Sequence, residues 1–556
     1  MIIDSNSFAL YDIFIFLLSS VTFYLSYLVL RYYYIYFTRP NPLPGPFPLP
    51  LVGCLFLDGF NFYRYSIEQH KKHGDIFEVW YGDIRIIILS DINFTEPMTT
   101  QSFNKSNYKV RFPPVEGLKE LGIFGKGILI NHDVKSWKFN RSIFAQALLV
   151  PKFLKQVVDL TKLHFQELDE YWKSFDGNDG VIQLVDWVHR FNTDFIFHIT
   201  TGKRYYSLAS YYSSIFSSTN IAHEKSPENQ KYLLNVSPEF IEESEKLLSC
   251  INSYLVAVNF FCLFPKFLRA IPFLRNKQKK MIKKKEWLFE KLTEFIKKRR
   301  KEIEEIPDGE ELNYDMLTMM ITANTKRDIY VVKKNMEKKL ENEQRPLSDE
   351  EIVVNLTEAF VGGIETTANT ICFIVYHLSR HPEVRRRLLE ELDTVFGANM
   401  TNFSLTYEDI QKLVYCEAVI KETARIDTVA PFLDRQSTNA DVIANRSWGP
   451  KTQFSMSIGR IHKKPEYWEN PDQFNPDRFL PENVGAINKN TFLQFGTGLR
   501  YCPGQKVAMT EMKCLIALLY KNYDIELVDA NAPLKVSYTL IQKCLDLKIK
   551  VKRRNE

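Results

Sequence analysis

One cysteine, Cys502, stands in the run Phe495-Gly-Thr-Gly-Leu-Arg-Tyr-Cys-Pro-Gly504, with Arg500 two residues before the sulfur. A thiolate that ligates a metal needs its charge stabilised and needs backbone that approaches closely. Gly496, Gly498 and Gly504 permit tight or positive-φ backbone. Gln505–Tyr520 reads as a helix, and its positive N-terminal end is expected to lie beside Cys502 and lower its pKa. Arg500 offers a guanidinium able to grip a carboxylate bidentately. These features together describe a haem iron held by a cysteine thiolate, with Arg500 on a haem propionate. A dinucleotide loop does not fit, because Tyr501 occupies the third glycine position and no βαβ pattern surrounds the run.

A second group of residues has the types needed to move protons. The apolar stretch Ile352–Leu378 is interrupted by Gly362-Gly363-Ile364-Glu365-Thr366-Thr367. Adjacent mid-helix glycines cost about 1 kcal/mol each relative to alanine, and a carboxylate among apolar neighbours costs more unless it is satisfied. The pattern predicts a helix broken at the glycines, with threonine hydroxyls bonding to the preceding turn. Glu422 and Arg425 stand three apart on one predicted helix face, with Arg478 downstream in Pro476-Asp-Arg478-Phe479. Trp137 and Arg141 stand four apart, which puts an indole N–H and a guanidinium on one face.

Phe495, Gly498, Arg500, Cys502 and Gly504 fill every fixed position of Phe-x-x-Gly-x-Arg-x-Cys-x-Gly. On these residues the chain resembles the cytochrome P450 superfamily, in its membrane-anchored, eukaryotic microsomal type. The resemblance runs from the N-terminal apolar segment to about Asp546, with the elements in the family's order. It implies haem b (iron protoporphyrin IX) as cofactor. It also implies that Thr366 steadies oxygen bound at the iron through a water network, and that Glu365 relays protons from solvent. Trp137 and Arg141 resemble the family's propionate-binding pair, and Arg435 stands where the other propionate is often met. Glu422, Arg425 and Arg478 resemble its structural network, which locks the segment before the cysteine loop. The implied partners are an NADPH-dependent reductase-type electron donor, O2 and a lipophilic substrate such as a fatty acid, sterol, terpenoid or xenobiotic.

The elements that must position these groups are mainly helical, with a small β portion. An amphipathic helix is expected near Tyr63–His73, strands at Phe77–Tyr81 and Ile84–Leu89, helices from Val134 to Ile426, and short strands around Gln436–Met456 and near the C-terminus. Ile13–Leu30 carries no charge, and as a helix it rises about 27 Å, enough for an endoplasmic reticulum bilayer. Asp4 and Asp12 precede it while Arg31 and Arg39 follow, which favours a retained single-pass anchor over a cleaved signal and places the bulk of the chain in the cytosol. Tyr32, Tyr33, Tyr34, Tyr36 and Phe37 read as an interfacial aromatic belt. The expected organisation is an anchor with its belt (1–38), a proline-rich semi-rigid hinge (39–52) and a haem-thiolate domain (53–556).

Composition narrows the rest. A net charge of +5 over 556 residues argues against dedicated nucleic-acid binding. The eight cysteines form no C-x-x-C pair, so zinc ribbons and dithiol redox sites do not fit. The 41 Phe and 28 Tyr suit a large apolar cavity or a membrane-contacting surface. Arg275–Lys301 is a basic helix, either a solvated face or a contact for anionic lipid or an acidic donor protein. Thr325–Pro346 reads as a polar surface loop, and Phe103–Gly125 with Phe195–Leu274 as substrate-contacting regions. Two rival activities use the same cysteine: hydroperoxide rearrangement without reductase, and ligand carriage without turnover. The Glu365–Thr366 pair counts against both.

Overall fold

The computed structural model describes residues 5–50, 52–54, 62–113, 115–149, 151–173, 181–218, 237–329, 345–397, 405–538 and 540–554. Most of the polar loop expected at 325–346 lies outside these. Helix α1 (Ser5–Thr38) has its apolar run exposed and meets the rest of the protein near its C-terminal end. The helices that build the site are α2 (Val134–Leu149), α3 (Pro151–Lys173), α4 (Leu184–Thr201), α5 (Pro238–Leu263), α6 (Pro272–Glu305), α7 (Asp349–Arg380), α8 (Val414–Ile426) and α9 (Gln505–Asn522). A four-stranded sheet holds β1 (Ile76–Tyr81), β2 (Ile84–Leu89), β3 (Phe432–Gln436) and β4 (Gln453–Ser457) in the order β1-β2-β4-β3. Only β2 and β4 run parallel in it. Near the C-terminus, β5 (Gln542–Asp546) pairs antiparallel with Lys535–Tyr538.

The central helix α7 starts where its sequence says it should. Ser348 caps it and Glu351 reaches back to the Ser348 amide, closing a capping box, while Asp349, Glu350 and Glu351 meet the positive end of the helix dipole. The helix then runs unbroken through Gly362 and Gly363, against the expected interruption. Thr366 Oγ1 donates to the Gly362 carbonyl at 2.7 Å without opening the turn. Burial on nearly every face holds it straight: the Phe360 ring stacks on Phe197 of α4 with centroids 4.3 Å apart and planes 5° from parallel.

The two glycines have different reasons to be there. A Cβ on Gly363 would lie 2.5 Å from Ile196 Cδ1 of α4, whereas nothing stands within 4 Å of one on Gly362. Gly363 lets two helices approach, and Gly362 leaves space open.

Three helices are long and apolar enough to cross a membrane, judged on length and composition: Asp12–Thr38, Glu239–Leu263 and Asp349–Arg380. The last two are half or more buried in the protein, while the apolar window of the first is not buried at all. The aromatic belt divides. Tyr34 and Phe37 are exposed, but Tyr32 is buried against Trp80, and Tyr33 stacks on Phe47. The proline segment is also held more firmly than a hinge: Arg85 donates to the carbonyls of Pro40 and Asn41 at 2.7 Å, and Glu78 accepts from the Leu43 amide and pairs with Arg39. A buried carboxylate on β1 therefore ties the segment down.

Candidate functional site

One cavity of about 1160 Å³ lies between α7, α4, α5 and the cysteine loop. Its walls are mostly aliphatic and aromatic, among them Ile130, Phe144, Leu148, Phe153, Ile196 and Phe432. Such a lining receives an apolar molecule without stranding its polar groups.

The cysteine loop is closed by the Cys502 amide, which donates to the Phe495 carbonyl at 2.8 Å. Gly496 and Gly498 have φ of 76° and 66°, and a Cβ on Gly498 would come within 2.6 Å of the Met98 carbonyl oxygen. Gly504 is different. Its φ is −83°, so it is not a left-handed position; it stands beside the sulfur, a Cβ there lying 3.9 Å from Cys502 Sγ. Cys502 lines the cavity together with Phe495, Gly496, Pro503 and Gly504. The amides of Gly504 and Gln505 and the guanidiniums of Arg141 and Arg111 favour its thiolate, but burial outweighs them and pushes the thiol up. The expected lowering by the helix end is thus present as one contribution and overridden in sum. A ligated cation is what such a sulfur lacks.

Four guanidiniums crowd the side of the cavity next to the loop: Arg111, Arg141, Arg435 and Arg500. Arg111, Arg141 and Arg435 line it. Burial and repulsion from Arg111 bring Arg435 down to about 9, and Arg500 is lowered by burial and by the other three. Arg141 donates to the Tyr501 carbonyl at 2.7 Å, and Arg435 to the carbonyls of Asp434 and Thr497 at 2.8 and 3.0 Å.

Arg500, expected on a propionate, is not among the residues lining the cavity. It donates to the carbonyls of Lys109, Ile128 and Asn131 at 2.6, 3.1 and 2.8 Å, and it lies 4.0 Å over the Trp137 ring. Its fork is held one layer back by the loop it braces. Arg111 was not singled out in the sequence, for no spacing ties it to the cysteine; it donates to the Arg500 carbonyl at 2.6 Å. The only available signal was a lone arginine inside an expected substrate region.

This donor set fits a buried dianion. Mutually repelling, desolvated guanidiniums are costly unless an anion sits among them. The Trp137 indole N–H and the Arg111 Nε–H are both buried without an acceptor. A haem, with two carboxylates and a metal for Cys502, answers each of these needs.

Thr366 and Gly362 line the cavity, and Glu365 does not. The Glu365 carboxylate is directed to the opposite side of α7, 2.8 Å from Lys543 Nζ of β5 and 3.8 Å from His189 Nδ1 of α4. The acid and the hydroxyl expected to cooperate therefore face different sides, as adjacent residues on a helix must. Glu422 and Arg425 are fully buried; Arg425 meets both carboxylate oxygens at 2.7 and 2.8 Å, and Arg478 Nε lies 3.5 Å from Glu422. Arg425 also donates to the carbonyls of His462, Pro471 and Gln473. Glu358, one turn before Gly362, is a cavity-lining acid that belongs to no sequence motif.

Residues 43–551 match the family pattern described as Cytochrome P450. The chain is 26% identical over 518 residues to cytochrome P450 3A18 of Rattus norvegicus, covering 91% of this chain and 93% of that one. Against cytochrome P450 3A17 of Cavia porcellus it is 24% identical over 525 residues, with 94% and 93% covered. Among solved structures, the cytochrome P450DA heme domain shares the fold with a TM-score of 0.71 at 20% identity, covering 93% of this chain and 98% of that one. A cysteine lining an apolar cavity, beside four crowded arginines, is thus found in a chain matched almost end to end, and the protein belongs to the cytochrome P450 family of haem-dependent monooxygenases.

Proposed function

We propose that this P450 hydroxylates a lipophilic small molecule at a membrane surface, with electrons from an NADPH-dependent reductase. One observation carries the reading: Cys502, Thr366 and Gly362 line the same apolar cavity as three arginines. Bound haem supplies an iron that activates dioxygen, inserting one oxygen atom into substrate while the other leaves as water.

The chain's own residues do the rest. Cys502 Sγ would hold the iron, and its thiolate charge would push electron density toward it. Arg111, Arg141 and Arg435, with the Trp137 N–H, would hold the two propionates, while Arg500 adds charge from behind and fixes the loop at Ile128–Asn131. Gly362 keeps the space beside the metal open. Thr366 presents a hydroxyl there, which holds a water in line for proton delivery. Glu365, reached from solvent through Lys543, supplies protons from the far side of α7 and needs a side-chain rotation to pass them on. Phe495, Gly498 and Gly504 shape the loop, and Glu422, Arg425 and Arg478 lock the segment before it.

The exposed apolar face of α1 supports single-pass anchoring, with the C-terminal bulk in the cytosol at the endoplasmic reticulum. The substrate reaches the cavity partly from the bilayer.

The test is spectroscopic. Reduced, CO-treated protein is expected to show the red-shifted Soret band of thiolate ligation, and Cys502→Ala to lose it. A wild-type protein without that band ends this reading. Turnover supported by a hydroperoxide but not by reductase, NADPH and O2 points to the rearranging rival instead.

A further inference from the structure

We propose that Glu358 forms an acidic subsite in the cavity wall that selects substrates bearing a cationic nitrogen, held two helical turns from the reacting carbon. The inference rests on the haem-thiolate reading above and adds a substrate class to it.

Glu358 is buried, lines the cavity, and precedes Thr366 by eight residues on the same helix, which places it about 12 Å away along the axis. Its position is built. Its Oε2 accepts hydrogen bonds from the amides of Ile128 and Leu129, the second at 2.9 Å. Gly127, at φ 75°, leaves the room for it, since a Cβ there would lie 2.5 Å from that oxygen.

The protein does not complete the carboxylate's requirements. Among the described residues no cation comes within ion-pair distance of Glu358. Arg111 and Arg500 act on it from farther off, and the Tyr254 hydroxyl of α5, buried without a hydrogen-bond partner, lies in its field. The amides of Ile128, Leu129 and Ile130 offset only part of the cost of a carboxylate in an apolar wall. Burial therefore raises it to about 7 despite them. A cation arriving through the cavity supplies the missing charge, and a neutral hydrogen-bond donor supplies less.

With Arg111, Arg141 and Arg435 taken up by the propionates, the position favoured by a cation lies at Glu358, on the wall of the same cavity. That directs the rest of an elongated molecule toward Gly362 and Thr366.

The test uses decyltrimethylammonium and decan-1-ol, equal apolar chains with and without charge. The quaternary nitrogen has no lone pair, so it cannot ligate iron. Binding to the full-length holoprotein is followed by the haem spin-state change and, independently of the thiolate band, by the shift in melting temperature. The ammonium is expected to bind at least about tenfold more tightly than the alcohol. Glu358→Gln, which keeps size and an acceptor oxygen for the loop amides, is expected to erase that preference and leave alcohol affinity within about twofold.

The wild-type protein offers a second check that needs no variant. The probe does not titrate, the guanidiniums of Arg111 and Arg500 do not lose their protons in this range, and the Tyr254 phenol is held above its ordinary value. Ammonium affinity is expected to rise as pH climbs through about 7. Equal losses for both probes in Glu358→Gln, meaning that Glu358 only pins the 127–130 loop, would overturn the proposal. So would a flat pH profile or the absence of any ammonium preference. Loss of the thiolate band with the preference intact in melting shifts sinks only the parent reading.

Discussion

Removing Arg425 is expected to cost this protein most of its stability, and the amount can be worked from its contacts. The guanidinium and the Glu422 carboxylate are both fully buried, with paired bonds of 2.7 and 2.8 Å. In Arg425→Ala the carboxylate keeps the Asn475 amide at 2.9 Å and Arg478 at 3.5 Å, but loses its one close cation. Stranding a buried charge costs roughly 3–5 kcal/mol. The carbonyls of His462 and Pro471, bonded at 2.8 and 2.7 Å, lose their donor too, at about 1 kcal/mol or more each. The sum, roughly 5–8 kcal/mol, is comparable with the whole stability of about 5–15 kcal/mol of a folded domain. Arg425→Ala should therefore yield little haem-loaded protein, measured as the CO-difference band per mole of polypeptide. Glu422→Leu with Arg425→Met removes both charges together and should recover part of the loss, giving a coupling of about 3 kcal/mol in urea denaturation followed by circular dichroism. Single variants with wild-type midpoints, or strict additivity, would show that the pair does not hold the segment before the cysteine loop.

Perturbations at four further positions separate the other roles. Thr366→Ala should keep the thiolate band but divert several-fold more electrons to peroxide per product formed, with Thr366→Ser close to wild type; a fully coupled alanine enzyme rules out the hydroxyl's part in proton delivery. Gly363→Ala should cost about 1–3 kcal/mol by pressing on Ile196 and be rescued by Ile196→Ala. Gly362→Ala should leave the melting temperature unchanged or raised while weakening ligand binding, and the reverse order would mean the glycines have been assigned wrongly. His462 accepts from the Leu493 amide through Nε2 and sits 2.9 Å from Thr428 through Nδ1. Burial and Arg425 depress it from 6.5 to about 3. Its contribution is therefore present above pH 6.5 and is lost as pH falls toward 3, at up to about 1.4 kcal/mol per unit. Urea midpoints for wild type and His462→Gln between pH 7 and 5 should converge, and parallel curves would count against it.

The cysteine loop, the Glu365-Thr366 pair and the uncharged N-terminal run were legible in the chain because each concentrates its chemistry in a few consecutive residues. Local spacing also predicted the helix after Cys502 and the strands β1 and β2. What spacing could not supply was direction. Whether Arg500 turns its fork to a ligand or to a loop depends on carbonyls at Lys109, Ile128 and Asn131, more than 360 positions away. Arg111 carried no motif, and it matters because folding brings it against the cavity. The glycine pair was visible, but not that Gly362 opens space while Gly363 admits α4, which depends on where Ile196 lands. The unbroken course of α7 followed from packing, since burial on nearly all sides outweighs the small propensity cost of two glycines.

The order of residues by itself determined which groups are available: a cysteine in a glycine loop, an acid next to an alcohol, an uncharged apolar run near the N-terminus. Tertiary structure decided which of them share a cavity and which face away, setting Thr366 inside and Glu365 outside and adding Glu358. A helix turns about 100° per residue, so neighbours in sequence part company in space. Long-range electrostatics, such as the crowding of four arginines, exist only once the chain has closed on itself.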